Sequence, residues 1–213
     1  VGATTDQSVT VSVTDVNEVP SLTSGASASV FENASTSTVV YTVSSSDPDS
    51  GASASYSLSG TDADYFEIDA TSGAVTLKAS ADYETKDSYA LTVSVSDGSL
   101  AASKAVSVSV TDVNDAPVFV SSLTGSVSEN SATSVVIYDG DASDQDAGDS
   151  ITYSVGGTDA SLVEIDSADG EVRLKSAANY ESKSSYSFVV TATDSVGATT
   201  DQSVTVSVTD VNE

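Results

Sequence analysis

Residues 89–95 read Tyr-Ala-Leu-Thr-Val-Ser-Val, and residues 106–110 read Val-Ser-Val-Ser-Val. Both alternate apolar and polar side chains with period two, the spacing at which an extended chain turns successive residues to opposite faces. Each is therefore a strand with one apolar face. Asp97-Gly98 opens the turn between them, and Thr71-Ser72-Gly73 separates Phe66-Glu67-Ile68 from Val75-Thr76-Leu77 as a second hairpin. Strands near 27–31, 38–45 and 54–58 bring the count to seven, and no window holds a helical period. Seven short strands in one such stretch predict two packed sheets. The first core is expected to hold Val39, Tyr41, Val43, Tyr56, Leu58, Phe66, Ile68, Val75, Leu77, Tyr89, Leu91, Val93, Val106, Val108 and Val110.

The same unit occurs twice. At an offset of 97, Glu32 falls on Glu129, Asp47 on Asp144, Asp49 on Asp146, Glu84 on Glu181 and Asp97 on Asp194. The linker TDVNE at 14–18 returns as TDVND at 111–115 and TDVNE at 209–213, the last interval being one residue longer, with the extra residue placed after Asp194. Domains are expected at 19–115 and 116–213. The stretch VGATTDQSVTVSVTDVNE at 1–18 is identical to 196–213 and reads as the closing strand and linker of a preceding repeat, in a window cut from a longer array.

Composition narrows the chemistry. Thirty-two acidic residues against six basic ones give a formal charge of −26, which repels polyanions and excludes a nucleic-acid partner. With no His and no Cys there is no disulfide, no imidazole or thiol catalyst and no usual zinc ligand, so any metal must be held by oxygen. Calcium suits such sites, and modules of weak to moderate affinity work where it is plentiful, outside cells. No signal peptide and no apolar run of membrane-spanning length is present, so no membrane insertion is expected.

The acids sit at strand ends and in linkers. Glu32, Asp82, Glu84, Asp112 and Asp115 belong to one unit, and Asp144, Asp146 and Asp194 to the next. Successive strands run in opposite directions, so these groups can gather at the poles of a sandwich and face one another across the linker. Eight like charges at one junction repel unless cations neutralise them, and each calcium accepts six to eight oxygens. A glycosidase pair would need a cleft and one raised pKa, which strand-end acids beside a linker do not offer. Asn33-Ala34-Ser35 fits a glycosylation sequon, a match too short to carry weight.

Phe66-Glu67-Ile68-Asp69 through Thr71-Ser72-Gly73, then Asp82-Tyr83-Glu84, Leu91 through Asp97, and Asp112-Val113-Asn114-Asp115-Ala116-Pro117 together resemble a cadherin repeat over both units. The Ser, Thr and Asp bias and the near-identical array make them most similar to the repeats of large bacterial surface adhesins. The resemblance implies an all-β chain: two tandem seven-stranded Greek-key β-sandwich domains, cadherin- or immunoglobulin-like, joined by a short calcium-binding linker. It implies about three calcium ions held by Glu32, Asp82, Glu84, Asp112, Asn114, Asp115, Asp144, Asp146 and Asp194. By the repeat, the flanking junctions would use Asp15, Asn17, Glu18, Asp47, Asp49 and Asp97 on one side and Glu129, Asn179, Glu181, Asp210, Asn212 and Glu213 on the other. Family linkers commonly carry one more Asn before the Ala-Pro, so here Ala116 or its neighbour must supply a carbonyl. Asn179 in place of Asp82, and Glu213 in place of Asp115, predict a weaker second junction.

The leading expectation is a calcium-rigidified extender holding a distal binding region away from the cell, with calcium and neighbouring repeats of the same chain as partners. The alternative is a module that itself binds polysaccharide or a matching cadherin domain. The absence of Trp, on which the family's strand-exchanging domains rely, and thirteen largely core rings favour the extender.

Overall fold

A computed structural model describes residues 1–212 as two compact units, one ending at Val113 and the other beginning at Asn114. In the first, β1 (Ser21–Leu22) pairs antiparallel with β4 (Ser45–Ser46). β2 (Ser27–Phe31), β5 (Ser55–Ser59), β8 (Ser88–Ser96) and β9 (Ala101–Thr111) form a four-stranded sheet in the order β2-β9-β8-β5. β3 (Val39–Thr42), β6 (Phe66–Ile68) and β7 (Ala74–Leu77) form the facing sheet, in the order β3-β7-β6. The first long strand lies parallel to the last, Val30 opposite Val110, so the four-stranded sheet is mixed rather than purely antiparallel. The expected single strand near 27–31 is thus preceded by a short segment that crosses to a different partner.

The alternation seen in the sequence sorts the faces. Tyr89, Leu91 and Val93 of β8 and Val106, Val108 and Val110 of β9 are buried, with serines outward. Each such apolar side chain contributes about 1.5–3 kcal/mol on burial. One expected core residue is displaced. A bulge between Val39 and Tyr41 breaks the period on β3, so Val40 is 9% exposed while Val39 is 50% exposed. Tyr56, Leu58 and Ile68 are half-buried against the core, and Val30 and Ala81 complete it. At the β6–β7 turn Gly73 has φ +72°, and a Cβ there would stand 2.5 Å from the Val43 carbonyl oxygen, so only glycine fits.

The second unit repeats this plan. β11 (Thr124–Ser128), β18 (Thr199–Thr209), β17 (Ser185–Thr193) and β14 (Thr152–Gly156) form one sheet in that order, β11 lying parallel to β18. The facing sheet is β12 (Val136–Asp139), β16 (Glu171–Leu174) and β15 (Val163–Ile165), and β10 (Val118–Phe119) pairs with β13 (Ala142–Ser143). The hairpin loop at 194–198 is one residue longer than its counterpart at 97–100.

Asn114 and Asp115 belong with the second unit because they bond to Asp194 and Asp146 there. Residues 1–18, read as the closing strand and linker of a preceding repeat, carry no regular element here. Among the described residues, no helix is long and apolar enough to cross a membrane.

Candidate metal centre

Within the first unit, β8 separates two acidic poles: its nine residues hold Asp82 and Glu84 about 30 Å from Asp97. At the first pole Glu32 follows β2, and its N–H extends the parallel ladder to the Thr111 carbonyl (3.0 Å). Its side chain is nearly inaccessible, at 3% exposure. Oε2 accepts from Tyr83 N–H at 2.9 Å and Oε1 from Val113 N–H at 2.7 Å, so one carboxylate ties the loop before β8 to the segment after β9. Asn33 turns with φ +56° and donates its N–H to the Ala81 carbonyl. Asp82 caps the next turn through Thr85 N–H (2.8 Å). These loops bring one carboxylate oxygen each of Glu32, Asp82 and Glu84 within 4.8 Å of one another. Asp112 is exposed just beyond β9.

The opposite pole gathers the linker. Asp47 accepts from Asp49 N–H (2.9 Å), Asp49 from Glu18 N–H (2.8 Å), and Asn17 Nδ2 donates to Asp97 (2.8 Å). Asp97 also accepts from Leu100 and Ser99 N–H, and these bonds, with that of Asn17, hold its carboxyl below the usual range. Oxygens of Asp15, Glu18 and Asp49 lie within 4.8 Å, and the Asp49 charge above all pushes the Glu18 carboxyl up.

The second unit has both poles. Glu129 accepts from Val211 N–H (2.8 Å) and Tyr180 N–H (3.0 Å), which lower its carboxyl pKa, and its oxygen gathers with those of Glu181 and Asp210. Asn179 takes the place of Asp82 and caps its turn through Ser182 N–H (2.8 Å). Asn212 is exposed beyond β18, and Glu213 lies outside the described residues. At the other pole Asn114 Nδ2 donates to Asp194 (2.8 Å), Asp115 N–H to Asp146 (2.8 Å), Asp146 N–H to Asp144 (3.0 Å) and Gln145 to Asp115 (3.0 Å). Asp194, 5% exposed, also accepts from the N–H groups of Val196, Gly197 and Ala198; Asn114 first and then these hold its carboxyl low.

Sequence reasoning missed Asp149. Its carboxylate lies within 4.8 Å of those of Asp144 and Asp146 and accepts from Ser195 Oγ at 2.5 Å. Asp144 Oδ2 and Asp149 Oδ2 are buried with no hydrogen-bond partner. A desolvated, unpaired carboxylate oxygen is unfavourable, and a hard cation relieves it. The donor set, oxygen only and partly pre-fixed by backbone N–H groups, therefore fits calcium. Other recurring acids serve the fold. Asp62 accepts from Ala90 N–H (2.7 Å) and pairs with Lys86 (3.2 Å), and Asp159 accepts from Ser187 N–H (2.7 Å) and pairs with Lys183 (2.9 Å).

A sequence model of the family described as "Cadherin domain" matches residues 26–111 and 123–209. The chain is 34% identical over 97% of its length to Protein dachsous of Drosophila melanogaster and 34% identical over 96% to human Protocadherin Fat 1. It spans only 6% and 5% of those proteins. Among solved structures, human Protocadherin-24 EC1-2 (Form II) is similar with TM-score 0.67 at 27% identity, covering 90% of this chain and 99% of that one. Mouse Cadherin-23 EC22-24 gives 0.58 at 27% identity, covering 93% and 68%.

Proposed function

The chain belongs to the cadherin family, and on that premise we propose that its units are calcium-stiffened spacers of a cell-surface protein, each ion set being shared by successive repeats. Cadherin domains are adhesion modules rather than enzymes. The observation that carries the calcium reading is the Asp144, Asp146 and Asp149 group, with two buried oxygens that no hydrogen bond satisfies. Glu32, Asp82, Glu84 and Asp112 contribute from one unit, and Asn114, Asp115, Asp144, Asp146 and Asp194 from the next, with Asp149 added to the expected ligands. The flanking sets are Asp15, Asn17, Glu18, Asp47, Asp49 and Asp97, and Glu129, Asn179, Glu181, Asp210 and Asn212. Six to eight oxygens per ion fits several ions per junction, and affinities of extracellular modules suit an outside location.

The relatives named above are animal proteins. They lend no support to a bacterial adhesin, a finer attribution that rests on the Ser, Thr and Asp bias and the repeated 18-residue stretch alone. The spacer role needs no choice between the two. Calorimetric calcium titration tests the reading: the chain takes up several ions, Asp115→Ala loses more than one, and Glu67→Ala, on a strand away from the poles, loses none. Equal stoichiometry in the two variants would contradict it.

A further inference from the structure

The alternation that buries Val106, Val108 and Val110 on β9 turns Lys104 onto the same inward row, and on β18 it sets Gln202 in line with Val204 and Val206. The two residues occupy equivalent places, Lys104 opposite Val93 and Gln202 opposite Val190. A polar group on a core-facing row is unfavourable unless it is hydrogen-bonded. Among the described residues Lys86, Lys183 and Arg173 pair with carboxylates, yet Lys104 forms no ion pair in a chain of net charge −26. Its Nζ donates instead to the backbone carbonyls of Ser24 (2.7 Å) and Leu22 (3.1 Å). Gln202, 8% exposed, donates through Nε2 to the Ser122 carbonyl (3.0 Å) and the Tyr138 hydroxyl (2.6 Å). Both hold the short segment that joins the first two strands of their unit.

That segment changes sheets. Before it, β1 has two paired residues, and the N–H groups of Thr23 and Ser24 share the Ser44 carbonyl (2.8 and 3.3 Å). After it, β2 lies parallel to β9, from Ser27 opposite Ser107 to Phe31 opposite Thr111. Because the pair is parallel, tension entering before β1 and leaving past β9 draws the two strands in opposite directions along their length, and the ladder resists in shear. Stress gathers at the two ends of a sheared ladder. At the exit end Glu32 donates its N–H to the Thr111 carbonyl (3.0 Å), and its carboxylate accepts from Val113 N–H (2.7 Å). At the entry end stands Lys104. Both ends are thus closed by charge-assisted bonds, which are roughly twice as strong as neutral ones.

We propose that Lys104 and Gln202 are mechanical latches, which keep the entering segment on the last strand when the chain is pulled and so raise the force that each unit withstands. The use of a latch rests on the spacer reading, because a spacer carries tension along its length. Its geometry involves no calcium ligand.

The chain contains no cysteine, so handles attach only where cysteines are placed. Single-molecule stretching of the 213-residue chain at constant force, in chelator, compares two paths through the first unit. V19C/A116C feeds tension in ahead of the latch, and S29C/A116C feeds it into β2 beyond the latch. Lys104→Met removes hydrogen bonds from a charged donor, and it is expected to shorten the first unit's lifetime about tenfold on the V19C path and less than about twofold on the S29C path. Gln202→Met, pulled between A116C and N212C, is expected to shorten the second unit's lifetime at least as much, because it strips partners from the Tyr138 hydroxyl and the Ser122 carbonyl. An unchanged lifetime on the V19C path overturns the latch, as does equal shortening on both paths, which marks a general loss of stability. Calorimetric calcium titration of the unaltered chain runs alongside. No calcium uptake overturns the functional reading, while the latch, tested in chelator, stands or falls by the two paths alone.

Discussion

Glu32→Ala separates the structural from the ionic role of one carboxylate. Glu32 is 3% exposed and accepts from two backbone N–H groups, those of Tyr83 and Val113. Alanine leaves both without an acceptor where water barely reaches. Each buried unsatisfied donor costs about 1–3 kcal/mol, and water entering the vacated space recovers part, so a loss of about 3 kcal/mol is expected. Glu32→Gln retains one acceptor oxygen but turns an NH2 group toward the other N–H, so it should lose about half as much. The measurement is urea unfolding in chelator, where no calcium contributes. With slopes of about 1–3 kcal/mol/M, the first unit's midpoint falls by roughly 1–3 M for alanine, at unchanged slope. On the proposed calcium reading the alanine deficit grows further in calcium, because a ligand is lost as well. Wild-type midpoints for both variants in chelator would refute the anchoring role.

Three further outcomes are expected. Val40→Ala should destabilise the first unit by about 2 kcal/mol in chemical denaturation while Val39→Ala stays within about 0.5 kcal/mol, because the bulge buries one and exposes the other. Backbone N–H bonds from Ala90 and Ser187, with Lys86 and Lys183, hold Asp62 and Asp159 below their ordinary carboxyl values. Their stabilising share is thus complete above the unfolded aspartate pKa and is lost as pH falls through the folded values, and Asp62→Asn with Asp159→Asn should flatten acid unfolding profiles followed by circular dichroism. Asn179→Asp should raise calcium affinity at the Glu129 pole and Asp82→Asn lower it at the Glu32 pole, read as opposite shifts in calorimetric titration.

The sequence showed where strands run, because the alternation in Tyr89–Val95 and Val106–Val110 survives intact in β8 and β9. It could not show the bulge, since Val39, Val40 and Tyr41 are all apolar and only pairing with β7 decides which one turns inward. At the poles, repetition pointed to most of the acids that the folded loops gather. The same filter hid Asp149, whose counterpart in the first unit is Ala52. Recurrence was also not specific to ligands: Asp62 and Asp159 recur as faithfully as Glu32 and Glu129 yet anchor backbone and lysine. What distinguishes them is the position of each carboxylate relative to N–H donors, a property of the folded loops.

Small-angle scattering of the 213-residue chain, titrated from chelator into calcium at a concentration where it stays monomeric, tests the spacer role most directly. On the proposed reading, calcium shared by successive units restricts their relative motion, so the profile in calcium should fit a single extended arrangement with a sharp maximum dimension, and chelation should broaden the distance distribution. Superimposable profiles with and without calcium would contradict the proposal that calcium stiffens the junction.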